Sequence, residues 1–233
     1  MRKGSFCMLL FLAALVLGGC GKEGQTPEGT EAVILDVPFI DQRIKYPTGC
    51  ECVSAVMALQ GLGYDISVDD FVDSCMVRGE LPEDTETGRV GPDPDQVFLG
   101  DPYTSQGYGC YAGAIEKGLN RYLEGEKKEA RVLRQVPVPE LISTYIDAGI
   151  PVIFWVGPEQ EEAISPDVWI EEETGKTITW NYPEHCMLLV GYDEENYYFN
   201  DPSGGKSQAY DRERIEAQYA NQFSQAVVIV EKE

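Results

Sequence analysis

Basic residues are scarce in this sequence. The 233-residue chain has 18 Lys and Arg against 40 Asp and Glu, which gives a formal net charge of −22. Nucleic acid is therefore excluded as a partner, because binding to phosphates needs clustered positive charge. The same deficit disfavours direct adsorption to anionic lipid. Hydrophobic residues make up 43% of the chain, which is enough for a sizeable core and excludes a largely disordered chain.

Histidine is nearly absent, since His185 is the only one in the chain. Five cysteines follow residue 20, and two of them, Cys50 and Cys52, form a C-x-C pair. No C-x-x-C pair completes a zinc site, and a single histidine cannot replace it, so we expect no metal and no cofactor. Five is an odd number, so an exported protein keeps at least one free thiol. Cys52, Cys75, Cys110 and Cys186 would supply two disulfides and leave Cys50 free.

Long hydrophobic runs are also absent, apart from a short one at the N-terminus. Arg2 and Lys3 precede a twelve-residue apolar stretch over residues 6–17, which is shorter than the roughly 20 residues that span a bilayer. Leu-Gly-Gly-Cys follows and ends at Cys20. This layout resembles a bacterial lipoprotein signal, in which the cysteine is lipidated and becomes the mature N-terminus. An ordinary signal peptide with an incidental Cys20 is the alternative.

The sequence thus predicts three regions. Residues 1–19 are a lipoprotein signal peptide, residues 20–31 are the lipidated Cys20 and a flexible Gly- and Glu-rich tether, and residues 32–233 are one folded domain. We expect an exported protein that is held on the outer face of the bacterial cytoplasmic membrane by its lipid anchor alone.

Apolar periodicity predicts helices in the first part of the domain and strands mostly in the second. The predicted helices cover residues 51–62, a segment capped by Ser67, 111–122, 138–148 and 211–219, and the first of these is apolar around most of its girth. The predicted strands cover residues 33–37, 151–156, 177–180, 186–192, 197–200 and 225–230. Residues 78–109 look loop-like, but this is long for a structureless connection, so we expect the segment to be functional or partly ordered. This order predicts an α+β fold with an antiparallel sheet.

Two reactive groups stand at the ends of these predicted elements. A hairpin turn over residues 193–196 would bring His185, at the start of one strand, beside Asp201, at the end of the next. A carboxylate beside an imidazole fixes its tautomer and raises its basicity. Cys50 lies at the N-terminus of the buried helix, where the helix dipole and a nearby imidazolium favour the thiolate. A lone histidine is more often a surface or core residue, and this pairing is what argues for a catalytic role.

Several motifs carry a resemblance to a known family. They are VPFIDQ, YPTGC-x-x-x-S-x-x-M, GDPYTSQGYGCYAGAI, EHCMLLVGYD and NDPSGG, in that order over residues 35–229. Their order and spacing resemble the papain-like cysteine peptidases, and among these the branch similar to bacteriocin-processing, double-glycine leader peptidases. The resemblance implies a papain-like α+β fold for residues 32–233, with the nucleophile on a central helix packed on an antiparallel sheet.

The resemblance also assigns roles. Ser54 and Met57 match the family pattern when Cys50 is the nucleophile, so Cys52 is expected to be a buried, inert thiol. His185 and Asp201 would complete the catalytic triad, and the amide of Gln42 would donate to the oxyanion together with the backbone N–H of Cys50. The implied reaction is hydrolysis of a peptide or amide bond in a peptide or protein substrate through an acyl-enzyme.

Other functions remain open at this stage. The same triad would also serve a cell-wall peptide amidase or a transglutaminase, and a non-catalytic binding protein can use the same scaffold. The chain has no Gly-x-x-x-x-Gly-Lys-Ser/Thr loop, so secretion coupled to a nucleotide-binding domain of its own is not expected. Neither a particular substrate nor an oligomeric state follows from the sequence.

The anchor is directly testable. Replacement of the lipidated residue, Cys20→Ser, should release a folded, soluble domain from the membrane fraction, because no other lipid attachment site is predicted. Fractionation of cells followed by a salt wash without detergent measures this. Retention of the variant in the washed membranes would contradict the assignment.

Overall fold

The computed structural model of the protein describes residues 31–232. The predicted signal peptide, Cys20 and the predicted tether up to residue 30 lie outside the described residues. Within residues 31–232, no helix is both long enough and apolar enough to cross a membrane.

Five helices and thirteen strands make up the described part of the chain. The helices are α1 (Cys50–Gly61), α2 (Val68–Ser74), α3 (Ala112–Tyr122), α4 (Val138–Leu141), which continues as a π-helical turn (Ile142–Ile146), and α5 (Arg212–Ala220). The strands are β1 (Val33–Ile34), β2 (Arg78–Gly79), β3 (Glu83–Thr85), β4 (Gly88–Val90), β5 (Phe98–Leu99), β6 (Lys128–Arg134), β7 (Val152–Val156), β8 (Ser165–Ile170), β9 (Thr177–Tyr182), β10 (His185–Tyr192), β11 (Asn196–Asp201), β12 (Gly205–Asp211) and β13 (Gln225–Glu231). Two 3-10 turns lie at Gln42–Ile44 and Glu161–Ala163.

A seven-stranded antiparallel sheet organises the domain. Its strand order is β12-β11-β10-β7-β13-β6, and β1 pairs with the far end of β10. A second sheet, β3-β4-β8-β9, joins the segment after α2 to the segment after β7, and β2 pairs with β5 in parallel. The predicted α+β class with an antiparallel sheet is confirmed.

Both faces of the main sheet are covered, because side chains alternate along its central strands. In β10, Cys186, Leu188 and Val190 pack toward α1, α2 and α3, whereas Met187 and Leu189 pack toward α4 and α5. Each face therefore has its own hydrophobic cluster, and the strands between the clusters read as continuous apolar runs. The buried side chains contribute about 1.5–3 kcal/mol each.

Helix α1 is the most enclosed helix of the described chain. Every residue from Cys50 to Leu59 is buried, in agreement with the prediction that this helix is apolar around most of its girth. It packs on β10 and β7 and contacts α2 and α3 on its other side. The neighbouring helix α2 also begins as predicted, since Ser67 Oγ accepts a hydrogen bond from the Asp70 N–H at 3.1 Å.

Two sequence-based expectations were wrong in part, whereas the one for residues 78–109 agrees with the structure. This loop-like segment is partly ordered, with four short strands, β2 to β5, each too brief to show a period. Strands β6 and β12 were missed because both are edge strands rich in polar residues, the composition that protects exposed sheet edges. The predicted helix over residues 138–148 is α-helical only over its first turn and then widens into the π-helical turn.

The cysteines also differ from expectation. Cys50, Cys52, Cys75, Cys110 and Cys186 are all buried and all free, so the two disulfides proposed for the last four are not formed. A buried, reduced cysteine behaves as a small hydrophobic residue. Cys52, Cys110 and Cys186 are fully enclosed in the cluster around α1, which explains their presence without any covalent bond.

The packing of α1 on β10 predicts the cost of a cavity at their contact. Leu188→Ala should lower the free energy of unfolding by about 2–5 kcal/mol, because Leu188 is fully buried between the sheet and the helices. Val168→Ala, at an exposed position of β8, is the matched control and should change it by less than about 0.5 kcal/mol. Urea unfolding measures both. Equal effects would contradict this placement of the core.

Candidate active site

Cys50 is the first residue of α1, and the chain reaches it through a tight turn. The first intrahelical hydrogen bond runs from the Val53 N–H to the Gly49 carbonyl at 2.9 Å, so the Cys50 N–H has no partner within the helix. Gly49 fits closely, because an added Cβ would lie 3.1 Å from the side chains of Tyr46 and Pro102. The thiol therefore sits at a fixed helix N-terminus with a free backbone donor beside it.

His185 and Asp201 are neighbours, as the predicted hairpin requires. His185 begins β10, Asp201 ends β11, and His185 Nε2 lies 2.7 Å from Asp201 Oδ1. Asp201 also accepts hydrogen bonds from the Tyr210 hydroxyl at 2.6 Å and from the N–H and hydroxyl of Ser203 at 2.8 and 3.0 Å. Since Nε2 is bonded to Asp201, Nδ1 is the ring nitrogen left for another partner.

These hydrogen bonds determine the charge of Asp201. Burial by itself opposes ionisation of the carboxyl group, but the bonds from His185, Tyr210 and Ser203 outweigh it and hold the pKa of Asp201 well below its ordinary value. The carboxylate is therefore ionised at neutral pH and can orient the imidazole and stabilise its positive charge.

Helix α1 brings Cys50 to the same end of β10 as His185. One turn below Cys50, the Ser54 hydroxyl donates to the Cys186 carbonyl at 3.3 Å, and Cys50 itself contacts the Cys186 backbone. Within the described chain, the thiol donates its hydrogen bond to Glu51 Oε2, at 3.3 Å, rather than to the imidazole. The three residues predicted as a triad thus lie at one corner of the sheet.

The ionisation of Cys50 differs from the prediction. Burial, and then the carboxyl groups of Glu51 and Glu184, raise the pKa of the thiol well above its ordinary value. The helix N-terminus and the nearby histidine were expected to lower it. Only 6% of Cys50 is exposed, and in such a dry environment the cost of a charge exceeds the attraction of a helix dipole.

Gln42 lies on the connection that leads into α1. Its backbone N–H donates to the Pro202 carbonyl at 3.0 Å, which ties it to the loop after Asp201. Its side chain is buried, and Nε2 donates to the Pro47 carbonyl at 3.3 Å, three residues before Cys50. This leaves the second amide proton free to donate. The residues proposed as oxyanion donors thus flank the same turn.

Glu51 and Glu184 are components of the site that the sequence reasoning missed. Glu51 is fully buried, and its Oε1 accepts from the Cys110 N–H at 2.6 Å. Glu184 is half-buried, but its Oε1 is enclosed and has no hydrogen-bond partner in the described structure. A signal was present in the sequence, because Glu51 is the one charged residue in a helix that is otherwise built for complete burial.

These two carboxyl groups and the Cys50 thiol offer three ligand atoms within 4.8 Å of one another. The spacing would suit a small cation, but burial favours the protonated form of all three groups, and each would have to lose its proton to bind a metal. Their chemistry fits a cluster that holds protons better than it fits a metal centre.

Of two depressions in the described surface, one is lined by residues of this site. The smaller has a volume of about 310 Å³ and reaches His185, Asp201 and Glu184 from the α5 side. The larger, of about 1170 Å³, runs between the second sheet and the loop over residues 100–106. That loop is held against the turn before Cys50, because the Thr48 hydroxyl donates to the Thr104 carbonyl at 2.9 Å. None of Cys50, His185, Asp201 and Gln42 lines the larger groove, which adjoins the turn only through this loop.

The fold is that of a class of protein, the papain-like cysteine peptidases. The family model that matches residues 34–227 is the Peptidase_C39 like family, and the chain belongs to this family. The predicted resemblance to this branch is confirmed, and family and fold together support a peptidase-type function.

Three individual proteins are similar to this chain to different degrees. A crystal structure described as a C39-like peptidase from Bacillus anthracis is 30% identical, with a TM-score of 0.74 over 87% of this chain and 98% of that one. The uncharacterised protein YvpB of Bacillus subtilis strain 168 is 29% identical over 78% of this chain and 68% of its own length. A double-glycine motif protease from an AMS/PCAT transporter, solved with its leader peptide, is 13% identical with a TM-score of 0.47 over 85% of this chain and 94% of that one.

The environment of Asp201 predicts how stability depends on pH. Its pKa in the folded state lies below the unfolded value of about 4, so its contribution is fully present above that pH and is lost as the pH falls. Asp201→Asn should therefore destabilise the protein most at neutral pH and less in acid. Urea unfolding over this range, with the exposed Asp36→Asn as control, measures the difference. A destabilisation that does not shrink in acid would contradict the assignment.

Proposed function

We propose that this protein is an exported thiol hydrolase that cleaves peptide or amide bonds through Cys50, His185 and Asp201. The observation that carries the proposal is the 2.7 Å contact between His185 Nε2 and Asp201 Oδ1. This contact lies at the start of β10, and the end of α1 that bears Cys50 packs against the same part of β10. Membership of a peptidase family supports the reaction class.

The proposed reaction begins with a proton transfer. Cys50 gives its proton to His185 Nδ1, and the thiolate attacks the substrate carbonyl carbon to form a C–S bond. His185 then gives that proton to the leaving amine as the C–N bond breaks, which leaves a thioester on Cys50. A water molecule, deprotonated by His185, hydrolyses the thioester and releases a carboxylic acid. Asp201 stays ionised and stabilises the imidazolium in each step.

The developing oxyanion needs donors that are already in place. The free N–H of Cys50 and the second amide proton of Gln42 are the proposed pair. Gln42 suits this role because its side chain is buried and its orientation is fixed by the bond to the Pro47 carbonyl. A donor that is already held in position needs little reorganisation when the negative charge of the oxyanion develops.

We propose that substrate approaches along the larger groove, because its loop over residues 100–106 is tied to the turn before Cys50. Its lining contains six carboxylates against one guanidinium, Arg78; the carboxylates are Glu80, Glu83, Asp101, Glu171, Glu172 and Glu173. This excess of negative charge repels an anionic substrate and favours a neutral or cationic peptide. For the location, we propose a lipid anchor at Cys20 on the outer face of the cytoplasmic membrane, as the N-terminal sequence predicts.

The test is digestion of a peptide library, read by mass spectrometry, with the wild type and single variants. Cys50→Ala should abolish cleavage, and His185→Ala should be nearly as harmful because it removes the group that carries the proton. Asp201→Asn should be milder, since an amide can still orient the ring, and Gln42→Ala should slow cleavage by about 10²–10³-fold. The losses should not add in double variants, because the residues act as one unit.

Cys52→Ala is the matched control, since Cys52 is a buried cysteine two residues away with no proposed role. It should retain near wild-type cleavage, and circular dichroism should show that every variant is folded. A folded His185→Ala variant with full activity would overturn the proposal, because the chain contains no second imidazole. Products in which the acyl group is joined to an added amine would instead indicate a transferase.

A further inference from the structure

Glu51 connects three parts of the site. Its Oε2 accepts the hydrogen bond of the Cys50 thiol at 3.3 Å, and its Oε1 accepts that of the Cys110 N–H at 2.6 Å. The carbonyl of Cys110 accepts from Trp155 Nε1 in β7 at 2.9 Å, so both backbone groups of Cys110 are hydrogen-bonded. Gly109 makes the approach possible, because its φ is +123° and an added Cβ would lie 2.1 Å from Glu51 Oε1.

Glu184 faces the same point from the connection between β9 and β10. Its carboxyl group, that of Glu51 and the Cys50 thiol lie within 4.8 Å of one another, and Glu184 Oε1 has no hydrogen-bond partner in the described structure. Two carboxylates that are buried this close together cannot both be ionised, so the pair holds at least one proton at neutral pH.

The position of that proton follows from the hydrogen bonds. Three donors are directed at Glu51, namely its own N–H, the Cys110 N–H and the Cys50 thiol, and they favour its ionised form, whereas enclosed Glu184 Oε1 has none. Burial raises the pKa of Glu51 to about 7, and burial together with the Glu51 charge raises the pKa of Glu184 well above its ordinary value. Glu184 therefore keeps its proton, and Glu51 changes its charge near neutral pH.

We propose that Glu51 is a positioning residue that, with Glu184, regulates the nucleophilicity of Cys50 by gaining and losing a proton. This role rests on the proposed function of Cys50. When Glu51 is ionised, it accepts the thiol hydrogen and its charge opposes a thiolate 3.3 Å away. When Glu51 takes a proton from solvent, that opposition ends, the new O–H can donate to the sulfur, and the thiol proton can pass to His185.

His185 is the base of the proposed reaction, and the other groups that face Glu51 do not provide a proton acceptor that would replace Glu51. The titratable groups that face it are Cys50 and Cys52 on α1, Cys110 before α3, and Glu184, His185 and Cys186 at the start of β10. Burial raises the pKa of each of the four thiols, so these stay neutral near pH 7. His185 lowers the pKa of Glu51, but the desolvation of Glu51 is larger.

The test compares wild type with Glu51→Gln. The amide can still accept from the Cys110 N–H but stays neutral at every pH, so it imitates protonated Glu51. The rate of alkylation of Cys50 by iodoacetamide is measured from about pH 5.5 to about pH 8.5, with peptide mass spectrometry that resolves Cys50 from Cys52. The ratio of the variant rate to the wild-type rate should be near one in acid and rise through pH 7 to about tenfold.

Glu116→Gln is the matched control. Glu116 on α3 also accepts a backbone hydrogen bond, from the Val132 N–H at 2.9 Å, but it is not among the groups that face Cys50. The ratio of the Glu116→Gln labelling rate to the wild-type rate should stay near one over the whole pH range. A second measurement needs no variant: in the wild type, the labelling rate should rise less than tenfold per pH unit across neutrality, because Glu51 ionises over the same range.

A ratio for Glu51→Gln that does not change with pH, or a slower rate than wild type above pH 7, would overturn the proposal. A wild-type rate that rises the full tenfold per unit through neutrality would also overturn it. Turnover of peptides by Cys50→Ala tests the proposed function separately. If turnover depends on Cys50 while the labelling ratio is flat, the role of Glu51 fails and the proposed function stands.

Discussion

The contact between helix α1 and strand β10 is the constraint on which the rest of the structure depends. The helix is buried on all sides, and the strand is buried on both faces, so neither can shift without opening a cavity. Both elements begin with a reactive residue, Cys50 on the helix and His185 on the strand. Packing that stabilises the core thereby also fixes the relative position of the thiol and the imidazole, and the β10–β11 hairpin adds Asp201.

Burial has an electrostatic consequence for this corner of the molecule. A thiolate needs solvation or a positive partner, and Cys50 has little of the first. The carboxyl groups of Glu51 and Glu184 make ionisation still harder. In the proposed reaction His185 offsets this by accepting the thiol proton, and Asp201 stabilises the resulting imidazolium. On this proposal, the balance between the acidic groups and the imidazole determines when the thiolate forms. Such opposed environments are typical of sites where protons move during a reaction.

Much of this arrangement could be predicted from the sequence, because it depends on local patterns. The mostly apolar helix after Cys50, the continuous apolar strand after His185 and the polar turn before Asn196 each leave a clear local signal. The edge strands β6 and β12 do not, since polar residues interrupt their apolar pattern. Strands β3 and β4 form a hairpin too short to show a period, and β2 is defined by its pairing with the distant β5.

The components of the site were less predictable than the fold. Residue identity and resemblance pointed to Cys50, His185, Asp201 and Gln42, but the direction of the shift in the Cys50 pKa was wrong. That direction depends on the desolvation of the thiol and on the approach of Glu184, which are properties of the tertiary structure alone. Glu51 could have been recognised from the sequence, because a single carboxylate in a buried helix needs a hydrogen-bond partner. The identity of that partner could not be predicted from the sequence.

The central claim is that Cys50 forms a covalent acyl-enzyme, and the most direct measurement is to trap it. Wild type is mixed with a cleavable peptide, quenched in acid within the first turnovers and analysed by intact-mass and peptide mass spectrometry. The account predicts an added acyl group on Cys50 that disappears on treatment with hydroxylamine and does not accumulate in His185→Ala. Cleavage of the same peptide with no acyl group on Cys50, or with one on another cysteine, would contradict it.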